Sequence, residues 1–231
     1  MAFNIHNQNA RNNGRPLFER RRPNDWSEVI GQDKILAKLE RLSAEGLSGR
    51  AYWINGFSGG GKTTIARLIA KAIVGDKQGA YLGIEEIDAK EVTYEKIKTW
   101  RDELSRGSLF GDGRVYIINE AHGLRQDIVL KLLCLLEPIP GDCAFIFTTT
   151  NDGQTDFLDG QLDAHPFLSR CVNLPLEKMG LADKMAARAR EIAIEEGLDG
   201  RPLAQYKKLV QNCRMNFRAV LQAIDAGEML T

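Results

Sequence analysis

The string Gly56-Phe57-Ser58-Gly59-Gly60-Gly61-Lys62-Thr63 satisfies G-x-x-x-x-G-K-[ST] at every fixed position, and no other feature constrains the fold of this chain as strongly. Such a loop needs a strand before it and a helix after it. An apolar run from Ala51 to Ile54 leads in, and Ile65, Leu68, Ile69, Ala72 and Ile73 follow at helical spacing. Consecutive glycines let backbone N–H groups close around a polyphosphate, while the helix N-terminus adds partial positive charge. Lys62 then reaches the outer phosphates, and the Thr63 hydroxyl is placed to ligate Mg²⁺. Gly56, Ser58, Gly59, Gly60, Gly61, Lys62, Thr63 and Thr64 are therefore the expected triphosphate-binding residues.

The pattern around this loop is that of an α/β protein. Beyond the Pro23-Asn24-Asp25-Trp26 turn, Asp33 is placed to cap a helix with the apolar face Ile35, Leu36, Leu39 and Leu42. Strands are expected at Ala51–Ile54, Tyr81–Ile87, Arg114–Ile118, Ala144–Thr149 and Val172–Leu174, with helices over Thr93–Leu104 and Ile128–Leu136 between them. Alternation of this kind predicts a parallel five-stranded sheet flanked by helices, with ligands gathered at the carboxyl ends of the strands. After Pro175 the pattern turns helical, with apolar faces over Met185–Ile194, Leu203–Cys213 and Phe217–Ile224, which predicts a small three-helix lid. The expected division is a basic arm over 1–16, a P-loop core over 17–175 and a lid over 176–231.

Composition removes several classes. A chain of 231 residues with 43% hydrophobic content can bury a sizeable core. No apolar stretch approaches the roughly 20 residues of a membrane span, and the Asn-rich start lacks the apolar centre of a secretory signal, so a soluble, cytoplasmic protein without membrane association is expected. Cys134, Cys143, Cys171 and Cys213 form no C-x-x-C pair; buried free thiols are expected, with neither zinc nor disulfides. The formal net charge is zero, yet residues 1–22 carry Arg11, Arg15, Arg20, Arg21 and Arg22 against only Glu19, an arm suited to phosphates or to solvent.

A P-loop by itself implies binding; hydrolysis also requires a group near the metal and a group that orients water. The third expected strand ends in Asn119-Glu120-Ala121-His122. Glu120 is placed to orient the attacking water, and Asn119 stands where an aspartate usually helps hold Mg²⁺. An asparagine accepts hydrogen bonds there but brings no negative charge, which lowers the expected metal affinity.

Taken in order, these motifs resemble the AAA+ ATPases of the clamp-loader family: replication factor C small subunits and the bacterial gamma/tau and delta-prime subunits. Leu17 to Pro23 followed by Val29-Ile30-Gly31-Gln32 resembles the family's opening motif, Ile84 to Ala89 its second strand, and Val115 to His122 its Walker B box with one change. Leu132 to Pro138 resembles the helix end after that box. Thr148-Thr149-Thr150 stands where the sensor 1 residue is expected, Thr150 matching best. Ser169-Arg170-Cys171 matches the family's hallmark tripeptide, and Asn216-Phe217-Arg218 opens a helix where the sensor 2 arginine is kept. The likeness covers roughly residues 17 to 228.

The resemblance implies ATP and Mg²⁺ as cofactors, Arg22 and Ile30 near the base, Arg218 from the lid, and Arg170 donated to the nucleotide of a neighbouring subunit in a homo- or hetero-oligomeric ring. It implies catalytic roles for Lys62, Glu120, Thr150 and Arg170. It also implies DNA replication as the process, a sliding clamp as a partner, and primed or duplex DNA held through its phosphates, with Lys96, Lys98, Arg101 and Arg125 as candidates. Three features depart from the family pattern: Asn119; the long stretch Asn151 to Leu168 with Asp152, Asp156, Asp159 and Asp163; and the end at Thr231, where the expected lid finishes and the family's helical collar domain would follow, so that the expectation is either a fragment or a subunit that assembles through its ATPase faces alone. Two alternatives stand beside this reading. One is a non-hydrolysing, ATP-bound adaptor, which Asn119 favours. The other is a different DNA-linked AAA+ motor such as a Holliday-junction translocase, against which the Ser169-Arg170-Cys171 tripeptide speaks. A small-molecule kinase shares the P-loop but has no use for a trans arginine.

Overall fold

Five strands form one parallel sheet: β1 (Arg50–Gly56), β2 (Ile84–Asp88), β3 (Arg114–Asn119), β4 (Cys143–Thr150) and β5 (Cys171–Pro175), in the order β2-β3-β4-β1-β5. The computed structural model describes residues 14–105, 113–151, 154, 157 and 164–230. The described residues divide into two compact units, one within Asp25–Lys178 and a helical one made of residues 14–24 with 179–230.

The sheet separates two apolar layers, because successive side chains on a strand point to opposite faces. Tyr52 and Ile54 of β1, Val115 and Ile117 of β3, and Ala144 and Ile146 of β4 share one face with the P-loop helix α3 (Lys62–Val74), which contributes Ile65, Ile69 and Ile73. Helix α2 (Asp33–Ser43) adds Ile35 and Leu39 to this layer. The residues in between, Trp53, Tyr116, Ile118, Phe145 and Phe147, meet α4 (Tyr94–Leu104), α5 (Gln126–Leu136) and α6 (Ala164–Ser169) on the other face. That second layer is aromatic: Tyr116 stacks on Phe145 with ring centroids 4.9 Å apart, and Phe167 meets Phe147 edge-on at 4.9 Å. The three inner strands, β3, β4 and β1, read as largely apolar runs because both of their faces are covered.

Three details depart from expectation. The second strand begins at Ile84; Ala80–Gly83 is a 3₁₀ turn, with Tyr81 and Leu82 exposed. Asp33 is the first residue of α2 and does not cap it. The preceding Gln32 makes no cap either, because its amide is spent on the backbone of Glu177, donating to the carbonyl at 3.0 Å and accepting from the N–H at 2.9 Å. Cys134 is exposed on α5, whereas Cys143 is buried; burial pushes the thiols of Cys143 and Cys171 up to about 12.

The helical unit contains α7 (Leu181–Glu196), α8 (Leu203–Asn212) and α9 (Phe217–Asp225), together with the short α1 (Leu17–Arg20), a segment expected in the core instead. Leu17 is fully buried there, and its N–H donates to the Asp225 carboxylate at 3.0 Å. Arg20 and Arg21 donate to Glu196, and Arg21 also to Glu195. Burial by itself raises the Glu196 carboxyl, but the two guanidinium groups outweigh it and hold the group below the usual carboxylate value. Gly197 adopts the left-handed conformation that ends α7, with φ 72°, and the Asn216 side chain caps α9 by accepting from the Ala219 N–H. No helix of the described residues is long and apolar enough to cross a membrane.

Candidate nucleotide site

The loop between β1 and α3 is shaped by its glycines. Gly59 and Gly61 have φ of 70° and 98°, values that L side chains rarely adopt, and Gly61 occupies the N-cap of α3. A Cβ on Gly60 would stand 2.9 Å from the Phe57 ring, and one on Gly56 would stand 2.7 Å from Cβ of Leu176. Successive N–H groups in such a turn form a concave anion cradle at the positive end of α3. Lys62 is 8% exposed, and its Nζ donates to the carbonyls of Phe57 at 3.1 Å and Gly56 at 3.3 Å. The ammonium is thus held within the loop that it serves. Ser58 lies exposed at the tip, and Thr63 and Thr64 open the helix, half-buried.

The strand order brings β3 and β4 beside this loop. Asn119, the last residue of β3, is on the α3 face by the same alternation that places Val115 and Ile117 there. Its Oδ1 accepts from Thr148 Oγ1 at 2.9 Å and lies 3.4 Å from Thr63 Oγ1, which donates to it. Its Nδ2 donates to Glu86 Oε1 of the edge strand β2 at 2.8 Å. Glu86 in turn receives a two-pronged pair from Arg67 of α3, Nε to Oε2 at 2.7 Å and Nη2 to Oε1 at 3.1 Å. Among the described residues no cluster of three or more His, Cys, Asp or Glu is ready to hold a metal. A Mg²⁺ that arrives with a triphosphate requires less, and the converging hydroxyl of Thr63 and carboxamide oxygen of Asn119 are hard, neutral donors of the right class. The residues present fit that ion.

Glu120 follows in the left-handed conformation, φ 52° and ψ 48°, an uncommon and strained choice for a residue with a side chain. The turn lifts its carboxylate off the end of the sheet, where the side chain is 47% exposed and stands 3.6 Å from His122 Nδ1. The same imidazole nitrogen shares a hydrogen bond with Thr149 Oγ1 at 3.0 Å. Thr150, at the end of β4, is in register with Gly56, where the P-loop begins. The three threonines of β4 therefore divide their work: Thr148 touches Asn119, Thr149 touches His122, and Thr150 stands by the cradle.

The remaining candidates make other contacts. Arg170, exposed between α6 and β5, donates to the Pro166 carbonyl at 2.8 Å and pairs with Glu137 at 2.5 Å. Ile30 is half-buried in the sheet unit. Arg22 and Arg218 belong to the helical unit, where Arg22 pairs with Glu19 at 2.6 Å and the Arg218 guanidinium lies 5.5 Å above the Phe18 ring. Of the cations considered for DNA, Lys98 and Arg101 are exposed on α4, Lys96 pairs with Glu85 at 2.5 Å, and Arg125 at the start of α5 stands 3.4 Å from Asp127. Arg11, Asp152, Asp156, Asp159 and Asp163 lie outside the described residues. Glu86, Arg67, Thr148, His122 and Glu137 were not singled out from the sequence, because their roles come from strand neighbours that no local spacing reveals.

No family model matches the chain. It is 29% identical over 206 residues to DNA polymerase III subunit tau of Salmonella typhimurium, covering 81% of this chain and 31% of that protein. It is also 26% identical over 229 residues to DNA polymerase III subunit gamma of Buchnera aphidicola subsp. Acyrthosiphon pisum, covering 90% of this chain and 60% of that one. The chain thus spans about a third of the tau subunit. Among solved structures, the Thermotoga maritima RuvB Holliday junction branch migration motor superimposes with a TM-score of 0.65 at 19% identity, over 88% of this chain and 64% of that one. That likeness speaks for the fold alone. In sequence the chain is similar to DNA polymerase III tau and gamma subunits, and in fold it is similar to RuvB.

Proposed function

We propose that the chain binds and hydrolyses ATP as one subunit of a clamp-loader-like assembly acting in DNA replication. The observation that carries this reading is the meeting of three sequence-distant segments at one end of the sheet: Lys62 and Thr63 in the cradle, Asn119 and Glu120 at the end of β3, and Thr150 level with Gly56. The loop N–H groups and Lys62 grip the phosphates and bring the outer phosphorus into a fixed position. Mg²⁺, when bound through Thr63 and Asn119, would neutralise charge on the phosphate oxygens. Glu120 orients a water for in-line attack, and Thr150 donates a hydrogen bond near the outer phosphate. Ile30, Arg22 and Arg218 serve the nucleotide as the family resemblance implies.

Arg170 is read as the residue given in trans. Its exposure and its pairing with a largely exposed Glu137 support this role, since an arginine held by a solvent-screened ion pair can exchange that partner for a phosphate at small cost. A trans arginine is worth about 10³ to 10⁵ in rate in nucleotide hydrolysis, so turnover should depend on assembly. DNA is proposed as a partner through phosphate contacts of Lys96, Lys98, Arg101 and Arg125, insensitive to sequence and weakened by salt.

The deciding experiment measures ATP turnover of the chain alone, with primed duplex, and with candidate clamp and loader subunits, for wild type, Glu120→Gln and Arg170→Ala. Both variants are expected to keep nucleotide binding and to lose assembly-dependent turnover; equal turnover in wild type and Arg170→Ala removes the trans role. The neutral donors at the metal position favour one second reading, an adaptor that binds ATP without hydrolysing it. A wild-type protein that binds ATP yet stays inert with DNA and partners selects that reading.

A further inference from the structure

Asparagine at the metal position raises a problem that aspartate does not have. An aspartate offers two equivalent oxygens, whereas a carboxamide offers an oxygen on one side and an NH₂ on the other, and the two orientations are nearly isosteric. Only one of them places a lone pair towards Thr63 and the metal position. The Thr63 and Thr148 hydroxyls cannot decide between them, since a hydroxyl donates or accepts equally well. Glu86 can: an ionised carboxylate only accepts, so its contact with Asn119 is satisfied solely when Nδ2 faces it. Arg67, one helical turn beyond Thr63, fixes Glu86 in place through two hydrogen bonds. The chain of contacts closes from Thr63 to Asn119 to Glu86 to Arg67 and back along α3.

We propose that Glu86 is a positioning residue that locks the Asn119 carboxamide with its oxygen towards Thr63, making a neutral side chain usable at the metal position. The Arg67–Glu86 pair is close to neutral, so its contribution is orientation and not charge. The arrangement also reverses the usual expectation for the acidic substitution. Asn119→Asp alone sets two carboxylates against each other at the distance now spanned by a hydrogen bond, whereas N119D combined with E86Q lets the glutamine amide donate to the new carboxylate.

This inference rests on the nucleotide-site reading, and its test separates the two. Mn²⁺ affinity is measured by electron paramagnetic resonance with a saturating non-hydrolysable ATP analogue, and affinity for a fluorescent ATP analogue is measured in EDTA. Thermal midpoints check that each variant is folded. Glu86→Ala is expected to weaken Mn²⁺ binding about tenfold, the loss of one oriented polar contact, while leaving the affinity in EDTA unchanged. Glu86→Gln, whose amide can turn either its oxygen or its NH₂ to Asn119, no longer fixes the carboxamide and is expected to weaken Mn²⁺ binding by about threefold to tenfold. Asn119→Asp alone is expected to bind Mn²⁺ no more tightly than wild type, and N119D/E86Q about tenfold more tightly. Wild-type Mn²⁺ affinity in Glu86→Ala, or equal tightening by Asn119→Asp with and without E86Q, overturns the proposal. Absence of analogue binding by the wild type in either condition would instead count against the nucleotide site itself.

Discussion

The two halves of the candidate site are built by different means. The cradle half, Gly56 to Thr63, is one continuous segment whose shape is set by backbone conformation: left-handed glycines at Gly59 and Gly61, close approach at Gly56 and Gly60, and a lysine bonded to carbonyls of its own loop. The acidic half is a side-chain network drawn from four elements, with Thr63 and Arg67 from α3, Glu86 from β2, Asn119 from β3 and Thr148 from β4. A backbone-made half is intolerant of added atoms but indifferent to its neighbours. A network half tolerates shape changes yet depends on every partner keeping its donor or acceptor role.

The largest effect that separates the halves should come from Lys62→Ala. It removes the charge-assisted contacts to phosphate, each about 1.5 kcal/mol or more, and should lower nucleotide affinity by about 10² or more. The thermal midpoint should hold, and fluorescence titration with an ATP analogue checks this. Next, Gly61→Ala and Gly60→Ala should each weaken binding about tenfold, for different reasons. At Gly61 the space is open but φ is 98°, so the penalty is conformational, about 1–3 kcal/mol. At Gly60 the obstacle is the Phe57 ring. Adding Phe57→Ala should therefore restore affinity to the Gly60 variant and not to the Gly61 variant; rescue of both would show that the cradle is less backbone-determined than argued. Thr148→Val, which keeps shape and removes a donor to Asn119, should lower stability by about 1 kcal/mol and leave metal-free nucleotide binding untouched. A fall in metal-free affinity would mean that the halves are not separable.

The smallest expected effect lies outside both halves, in the helical unit. The Glu196 carboxyl is depressed in the folded chain, so its contribution is present above the ordinary carboxylate pKa and is lost as pH falls through the lower folded value. Glu196→Gln should cost about 1 kcal/mol at pH 7, and the gap from wild type should close as pH falls below the ordinary carboxylate range, read as the difference in thermal midpoints. A gap that persists unchanged in acid would assign the cost to packing and not to the ion pair.

Legibility followed the same division. The cradle was readable because a tight turn that must bind phosphate demands glycine at fixed offsets, and those offsets are local. The sheet was readable because buried strands and amphipathic helices leave periods of two and 3.6 residues. Glu86 was visible only as part of a segment resembling the family's second strand, and Thr148 only as one of three threonines; neither had a spacing that tied it to Asn119. The start of the second strand was misplaced because Tyr81 and Leu82 look strand-like, yet they sit exposed in a 3₁₀ turn ahead of Ile84. Asp33 looked like a cap because of its residue type, while the actual helix start is pinned by the long-range pairing of Gln32 with Glu177.

By itself the sequence determined the α/β alternation, the cradle and its lysine, and the order in which the motifs occur, because each of these rests on interactions among residues close in the chain. The tertiary structure decided which side chains share the metal position, that Arg170 rests on Glu137, and that Leu17 to Arg20 joins the helical unit. These depend on strand order and register, and a hydrogen bond between residues 29 or 33 positions apart leaves no periodic trace in the chain that makes it.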